Sequence, residues 1–206
     1  MRKKVKLTSK RNKVYRLIED EGNSIFKTYI DKEDMKMELS ILRLLHSKNC
    51  RVPEVLRVTS NSIYLEDLGD ETLLDWYERS ENTNADNILP MILKLSDWFE
   101  AFYDTLCSSK YSNYIMGDVN FRNFLINNGE IYGIDFEQCR EGKIEEDLGK
   151  LAAYSLTYDP MMTDWKKNFV KLLIEQLSIK LDISKDAISS EMDKELIKIR
   201  LRREKK

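Results

Sequence analysis

Apolar and polar positions alternate in short runs along the first third of the chain and recur every three to four residues thereafter. Val5–Thr8, Val14–Ile18 and Ser24–Ile30 read as strands joined by a polar link (Ser9 to Lys13) and a Glu21–Gly22–Asn23 turn, an antiparallel meander. Residues 31–47 then switch to helical spacing. Asp31 stands at the N-cap, the first turn is acidic, and Met35, Glu38, Ile41, Leu42 and Leu45 share one face. VLRV (55–58) and Ile63–Leu65 read as two more strands about an Asn61–Ser62 turn, and a helix is expected near Thr72–Tyr77. After a polar loop at 80–87, residues 88–107 form a long helix with Leu95, Trp98, Phe99 and Phe102 inward. Phe124–Ile126 and Ile131–Ile134, separated by Asn127–Asn128–Gly129, make a tight hairpin. Helices are expected over 145–156, over 164–181 (Trp165, Phe169, Leu172, Leu173 and Leu177 on one face), and over 185–203 (Ile188, Met192, Leu196, Ile199). There is no internal repeat.

Composition narrows the function classes. The 206 residues, 42% hydrophobic and 34% charged, suit a soluble globular protein of one domain or two small lobes. Net charge is −2, yet residues 1–16 carry eight Lys/Arg and no acid, and residues 194–206 carry seven against two acids. The middle is therefore strongly acidic. Such ends can contact RNA, protein or phosphates, or simply stay solvated. Cys50, Cys107 and Cys139 are isolated, which suggests neither a disulfide framework nor a zinc site. The single histidine, His46, excludes a His-rich metal site. No apolar run reaches membrane-spanning length, so a cytoplasmic location without membrane contact is expected.

The chemistry concentrates in Ile115–Glu137, IMGDVNFRNFLINNGEIYGIDFE. Asp118 and Asn123 lie in a loop before the hairpin and Asp135 follows it, so the hairpin brings three oxygen-bearing side chains together. Two carboxylates and an amide oxygen suit Mg²⁺, which keeps waters and takes further ligands from phosphates. Asp-x-x-x-x-Asn, a hairpin and Ile-Asp-Phe-Glu resemble the protein-kinase-like superfamily, in the manner of aminoglycoside and choline phosphotransferases. The resemblance implies a two-lobed α+β fold. Residues 1–68 would form an N-lobe, a small antiparallel sheet with one helix, and 69–206 a mostly helical C-lobe. It also implies a phosphotransferase that uses ATP and Mg²⁺.

By the same resemblance Asp118 is the base for the acceptor hydroxyl, and Asn123 and Asp135 hold the metal. Lys27, a cation inside an apolar strand, bridges the phosphates and pairs with Glu38, the one charge on the buried helix stripe; Glu33 is the competitor if the helix is rotated. Ser9 and Asn12, with Lys10, Arg11 and Lys13 nearby, occupy a nucleotide-covering loop that lacks glycine. Leu65–Glu-Asp-Leu-Gly69 matches the hinge, where the Glu66 carbonyl and Leu68 amide would recognise adenine. Asp147 either hydrogen-bonds the catalytic loop or merely caps its helix. Met116 stands where His is common, Asp118 has no Lys or Arg neighbour in sequence, and Glu137 serves a second metal or faces solvent. No activation segment separates Asp135 from Asp147. The acceptor is expected to be a hydroxyl of a small molecule. The alternatives are an atypical Ser/Thr kinase or ATPase acting with a protein or tRNA-modification complex, and a pseudokinase that only binds nucleotide.

Overall fold

A computed structural model of the chain describes residues 3–9, 11–20 and 22–204. Lys10 and Glu21, named above for a loop charge and a turn, lie outside the described residues. The first five strands are β1 (Lys3–Leu7), β2 (Lys13–Glu19), β3 (Gly22–Thr28), β4 (Val55–Val58) and β5 (Ser62–Glu66). They form one antiparallel sheet in the order β1-β2-β3-β5-β4. Because strand side chains alternate between faces, one register row (Leu7, Val14, Lys27, Ile63, Val58) points one way and the adjacent positions point the other.

Between β3 and β4 runs α1 (Lys32–Ser47). Asp31 caps it by accepting from the Glu33 amide, and Met35, Glu38, Ile41, Leu42 and Leu45 are its buried side. The remainder is mostly helical: α2 (Leu73–Asn82), α3 (Leu89–Cys107), α4 (Ile144–Thr157), α5 (Asp164–Leu181) and α6 (Lys185–Glu204). Helix α2 runs through the stretch expected to be loop at 80–82. A Thr72–Asp75 capping box fixes its start, and Ser80 falls on its buried side, so packing outweighs the polar composition of that turn. Gly149 lets α4 and α6 approach closely, since a Cβ there would meet the Met192 amide at 2.6 Å.

The other strands are β6 (Tyr114–Ile115), β7 (Phe124–Asn127), β8 (Glu130–Gly133) and β9 (Arg140–Glu141). β7 and β8 are the expected hairpin. Asn128 and Gly129 both take positive φ, 50° and 76°, as a primed two-residue turn requires. A 3-10 turn, Phe121–Asn123, precedes it. The aromatic stripe of α3 seats this region, for Trp98 meets Phe124 edge-on at 5.0 Å while Trp98 and Phe102 stack with Phe136. A second aromatic group, centred on Tyr77 and including Phe169 and Tyr158, receives Phe121. Both ends of the hairpin are thus held by core packing.

Candidate active site

Phe121 and Phe124 are fully buried, which leaves the intervening loop little freedom. Asn123 Nδ2 donates to the Asp118 carbonyl at 2.8 Å, and the Ile134 amide donates to the Asn123 carbonyl at 2.9 Å. Asp118, Asn123 and the residue before Asp135 are therefore linked by hydrogen bonds across the base of the hairpin. The amide nitrogen of Asn123 is engaged, so its oxygen is the atom left to serve as a ligand.

Asp147 fixes the other side of the loop. It sits in the first turn of α4, whose N-cap is Lys143. Its capping alternative is thereby corrected. Instead its carboxylate accepts from the Met116 amide at 2.7 Å, the Gly117 amide at 3.0 Å and the Tyr103 hydroxyl at 2.8 Å. Burial pushes its carboxyl up to about 6, opposed by those three donors. Met116 is fully buried, and its backbone amide makes the contact to Asp147. Gly117 has φ 79°, and a Cβ there would lie 2.4 Å from the Gln138 carbonyl oxygen, so no larger residue fits.

Lys27 is the electrostatic centre. Its Nζ lies 2.6 Å from Glu38 Oε2, 2.7 Å from Asp135 Oδ1 and 3.0 Å from Glu137 Oε2. Burial pulls the ammonium pKa down, but the three carboxylates more than reverse this, and the net shift is upward. Glu38 is itself pushed up by burial, against the pull of Lys27, and also accepts from the Tyr29 hydroxyl at 2.7 Å. Glu33 is exposed and pairs with Lys36 instead. The carboxylates of Glu38, Asp135 and Glu137 offer oxygens within 4.8 Å of one another. Lys27 is in contact with all three, so the cluster already contains its cation. Of the three, Asp135 is the one with substantial exposure, 38% of its side chain. It stands at φ 66°, a conformation unusual for a non-glycine residue.

Glu137 follows neither expected course. It is buried, in contact with Lys27 and accepting from Asn12 Nδ2. Asn12 is buried as well, and its oxygen accepts from the Ile30 amide at 3.2 Å. The β1–β2 loop is thus drawn down onto the segment after the hairpin. Ser9 and Arg11 are exposed in that loop. At the stretch expected to be the hinge, Glu66 and Leu68 are positioned by neighbours. The Glu66 amide donates to the Glu54 carbonyl at 2.9 Å, and Leu68 carbonyl accepts from Asn127 Nδ2 at 3.0 Å. Arg16 on β2 clamps the same stretch, with contacts to Asp67, Asp70 and the Gly69 carbonyl at 2.6–3.0 Å.

One cation was invisible in the linear sequence. Lys150 Nζ donates to the Gly117 carbonyl and lies 3.5 Å from Asp118 Oδ1. Asp118, without a basic neighbour along the chain, has one in space. The signal was available only as Asp147 and Lys150 being one turn apart on one helix, a spacing that places both on the same loop.

A RIO domain family model matches residues 2–151 of the chain. Among solved structures, amicoumacin kinase hAmiN in complex with AMP-PNP, Ca²⁺ and Ami is similar in fold. Its TM-score is 0.65 at 14% identity, covering 86% of this chain and 71% of that one. No curated protein sequence matches the chain.

Proposed function

The chain belongs to the RIO domain family and is a kinase-like phosphotransferase, and from that premise we propose that it moves the terminal phosphoryl group of ATP to a hydroxyl, with Asp118 as the base. The observation that carries this reading is the convergence on Lys27 of Glu38 from α1 and Asp135 from the end of the hairpin, at 2.6 and 2.7 Å. Phosphoryl transfer asks a protein mainly for positioning and charge neutralisation, and a buried lysine paired with an accessible carboxylate supplies both.

The residues fit the implied ligands. Asp135 and the Asn123 oxygen are hard donors suited to holding Mg²⁺, and Lys27 would hold the phosphates. Mg²⁺ bound there would neutralise charge on the phosphates. The stretch 65–69 would serve as the hinge between an N-lobe of 1–68 and a C-lobe of 69–206, with Glu66 and Leu68 presenting backbone groups to adenine. Asp118 would accept the proton from the acceptor hydroxyl, and Lys150 would hold its carboxylate toward the acceptor. Ser9 stands near enough in sequence to the docked Asn12 to join a loop over the phosphates.

We take the acceptor to be a hydroxyl of a small molecule, as the short interval between Asp135 and Asp147 has no room for the activation segment of a regulated protein kinase. Membership of the RIO domain family favours a second reading, an atypical kinase acting on protein serine or threonine. Presence of Lys27, Asp118, Asn123 and Asp135 together counts against a pseudokinase. The test is ATP turnover, alone and with panels of hydroxyl compounds and of proteins. Asp118→Asn should bind Mg·ATP nearly as the wild type does while transfer falls by several orders of magnitude. Full turnover in that variant would remove Asp118 from the role of base.

A further inference from the structure

The face of the five-stranded sheet opposite Lys27 carries a row of register partners that crosses every strand: Lys6, Tyr15, Phe26, Tyr64 and Arg57. Three adjacent rings thus stand between two cations. The Tyr15 and Phe26 centroids are 6.4 Å apart, and those of Phe26 and Tyr64 are 4.8 Å apart. Lys4 Nζ lies 3.8 Å from the Tyr15 centroid and 4.9 Å from that of Phe26, and Arg57 Cζ lies 5.5 Å from that of Tyr64. All three rings are partly exposed, whereas Lys4, Lys6 and Arg57 are exposed. None of the three rings belongs to the buried core or to the side chains packed against it.

A contiguous aromatic surface outside the core marks a site of interaction more often than a site of folding. Its charge decides the occupant. Its β1–β2 end, with Lys4, Lys6 and Tyr15, lies within the first sixteen residues, which hold eight Lys/Arg and no acid, and Arg57 closes its other end. An apolar protein surface would leave those cations desolvated, and an acidic peptide would leave the rings unused. A single-stranded nucleic acid uses both, because its bases stack on ring faces and its phosphates pair with the flanking cations. Glu66, two residues beyond Tyr64 on the same face, bounds the track on the hinge side.

We propose that this face of the sheet is a docking surface for a single-stranded nucleic acid, with bases stacked over Tyr15, Phe26 and Tyr64 and phosphates held by Lys4, Lys6 and Arg57. Lys27 points to the other face, so docking leaves the nucleotide cleft free. The inference therefore stands or falls independently of the phosphotransferase reading.

The experiment is fluorescence anisotropy of the full chain with labelled oligouridine, oligothymidine and a duplex, each of about fifteen nucleotides, from about 50 mM salt upward. Single strands should bind more tightly than the duplex, with affinity falling as salt rises. Tyr15→Leu and Tyr64→Leu keep apolar bulk on the strands and remove the π-faces. Each should weaken binding by roughly 5- to 150-fold, with unfolding temperature and Mg·ATP binding unchanged. Preference for oligouridine would assign the surface to RNA, and equal binding to single strands of either sugar; both support it. No binding at low salt, equal binding of the duplex, or undiminished affinity in both leucine variants would overturn it.

Discussion

Lys150 is the residue whose role is sharpest to test. Its Nζ bonds the Gly117 carbonyl and sits 3.5 Å from Asp118, so it holds the loop and faces the proposed base at once. A charge-assisted contact contributes about 1.5–3 kcal/mol. Lys150→Met should therefore lower kcat roughly 10- to 150-fold while the KM for ATP stays put, and Lys150→Arg should recover part of the loss. Equal loss in the arginine variant, or a fall in unfolding temperature that tracks the loss of activity, would reduce Lys150 to a loop support. The contrast with Asp118, Asn123 and Asp135 shows what a sequence can reveal. Those three lie within twenty residues on a loop and a hairpin whose turn is written in Asn128–Gly129, so local geometry alone brings them near. Lys27 and Glu38 were legible for another reason, as charges at positions where the pattern demanded apolar side chains. Lys150 sits on a helix where a lysine reads as solvated, and the bond between Asn12 and Glu137 spans 125 residues with no local trace.

At the scale of elements, the helices were readable from their apolar spacing. α1 buries the five positions expected of it, and α5 spans Asp164–Leu181 as expected. What the pattern missed is how α2 and α5 are joined. Lys166 on α5 is fully buried. Its Nζ lies 2.6 Å from Glu81 Oε2 on α2 and donates to the Pro160 carbonyl at 2.7 Å, with the Tyr77 ring 5.8 Å away. Thr163, the N-cap of α5, also donates to Glu81. A lysine within DWKKNF looks like solvent-facing charge, and residues 80–82 looked like loop, so neither half of the pair announced itself. Breaking a buried pair from one side leaves the other charge uncompensated and costs about 3–5 kcal/mol, whereas replacing both partners by apolar groups is often near neutral. Lys166→Met should lower the unfolding temperature by roughly 6–20 °C, and the double variant Lys166→Met/Glu81→Leu should regain most of it. A double variant no better than the single one would mean that packing around Tyr77, rather than the ion pair, sets the loss.

The whole molecule is arranged so that one lysine ties its parts together. Lys27 on the sheet holds Glu38 on α1 and Asp135 and Glu137 after the hairpin, and Asn12 draws the first loop onto Glu137. This coupling across the fold lies where nucleotide is proposed to bind, and ligand should register in global stability. At about a hundred times its dissociation constant, Mg·ATP should add roughly 2.7 kcal/mol, on the order of 5–10 °C for a chain of this size. Asp135→Asn provides the decisive comparison. It removes one of three carboxylates around Lys27 and so changes the ligand-free protein too, which is why each variant must be referred to its own unliganded unfolding temperature. If Asp135 holds the metal, the variant should lose the Mg²⁺-dependent part of the shift and keep whatever ATP gives alone. A full Mg·ATP shift in Asp135→Asn would place the metal elsewhere. No shift in the wild type would mean that the Lys27 cluster serves the fold alone, with its three carboxylates as counter-ions to a buried lysine and nothing more.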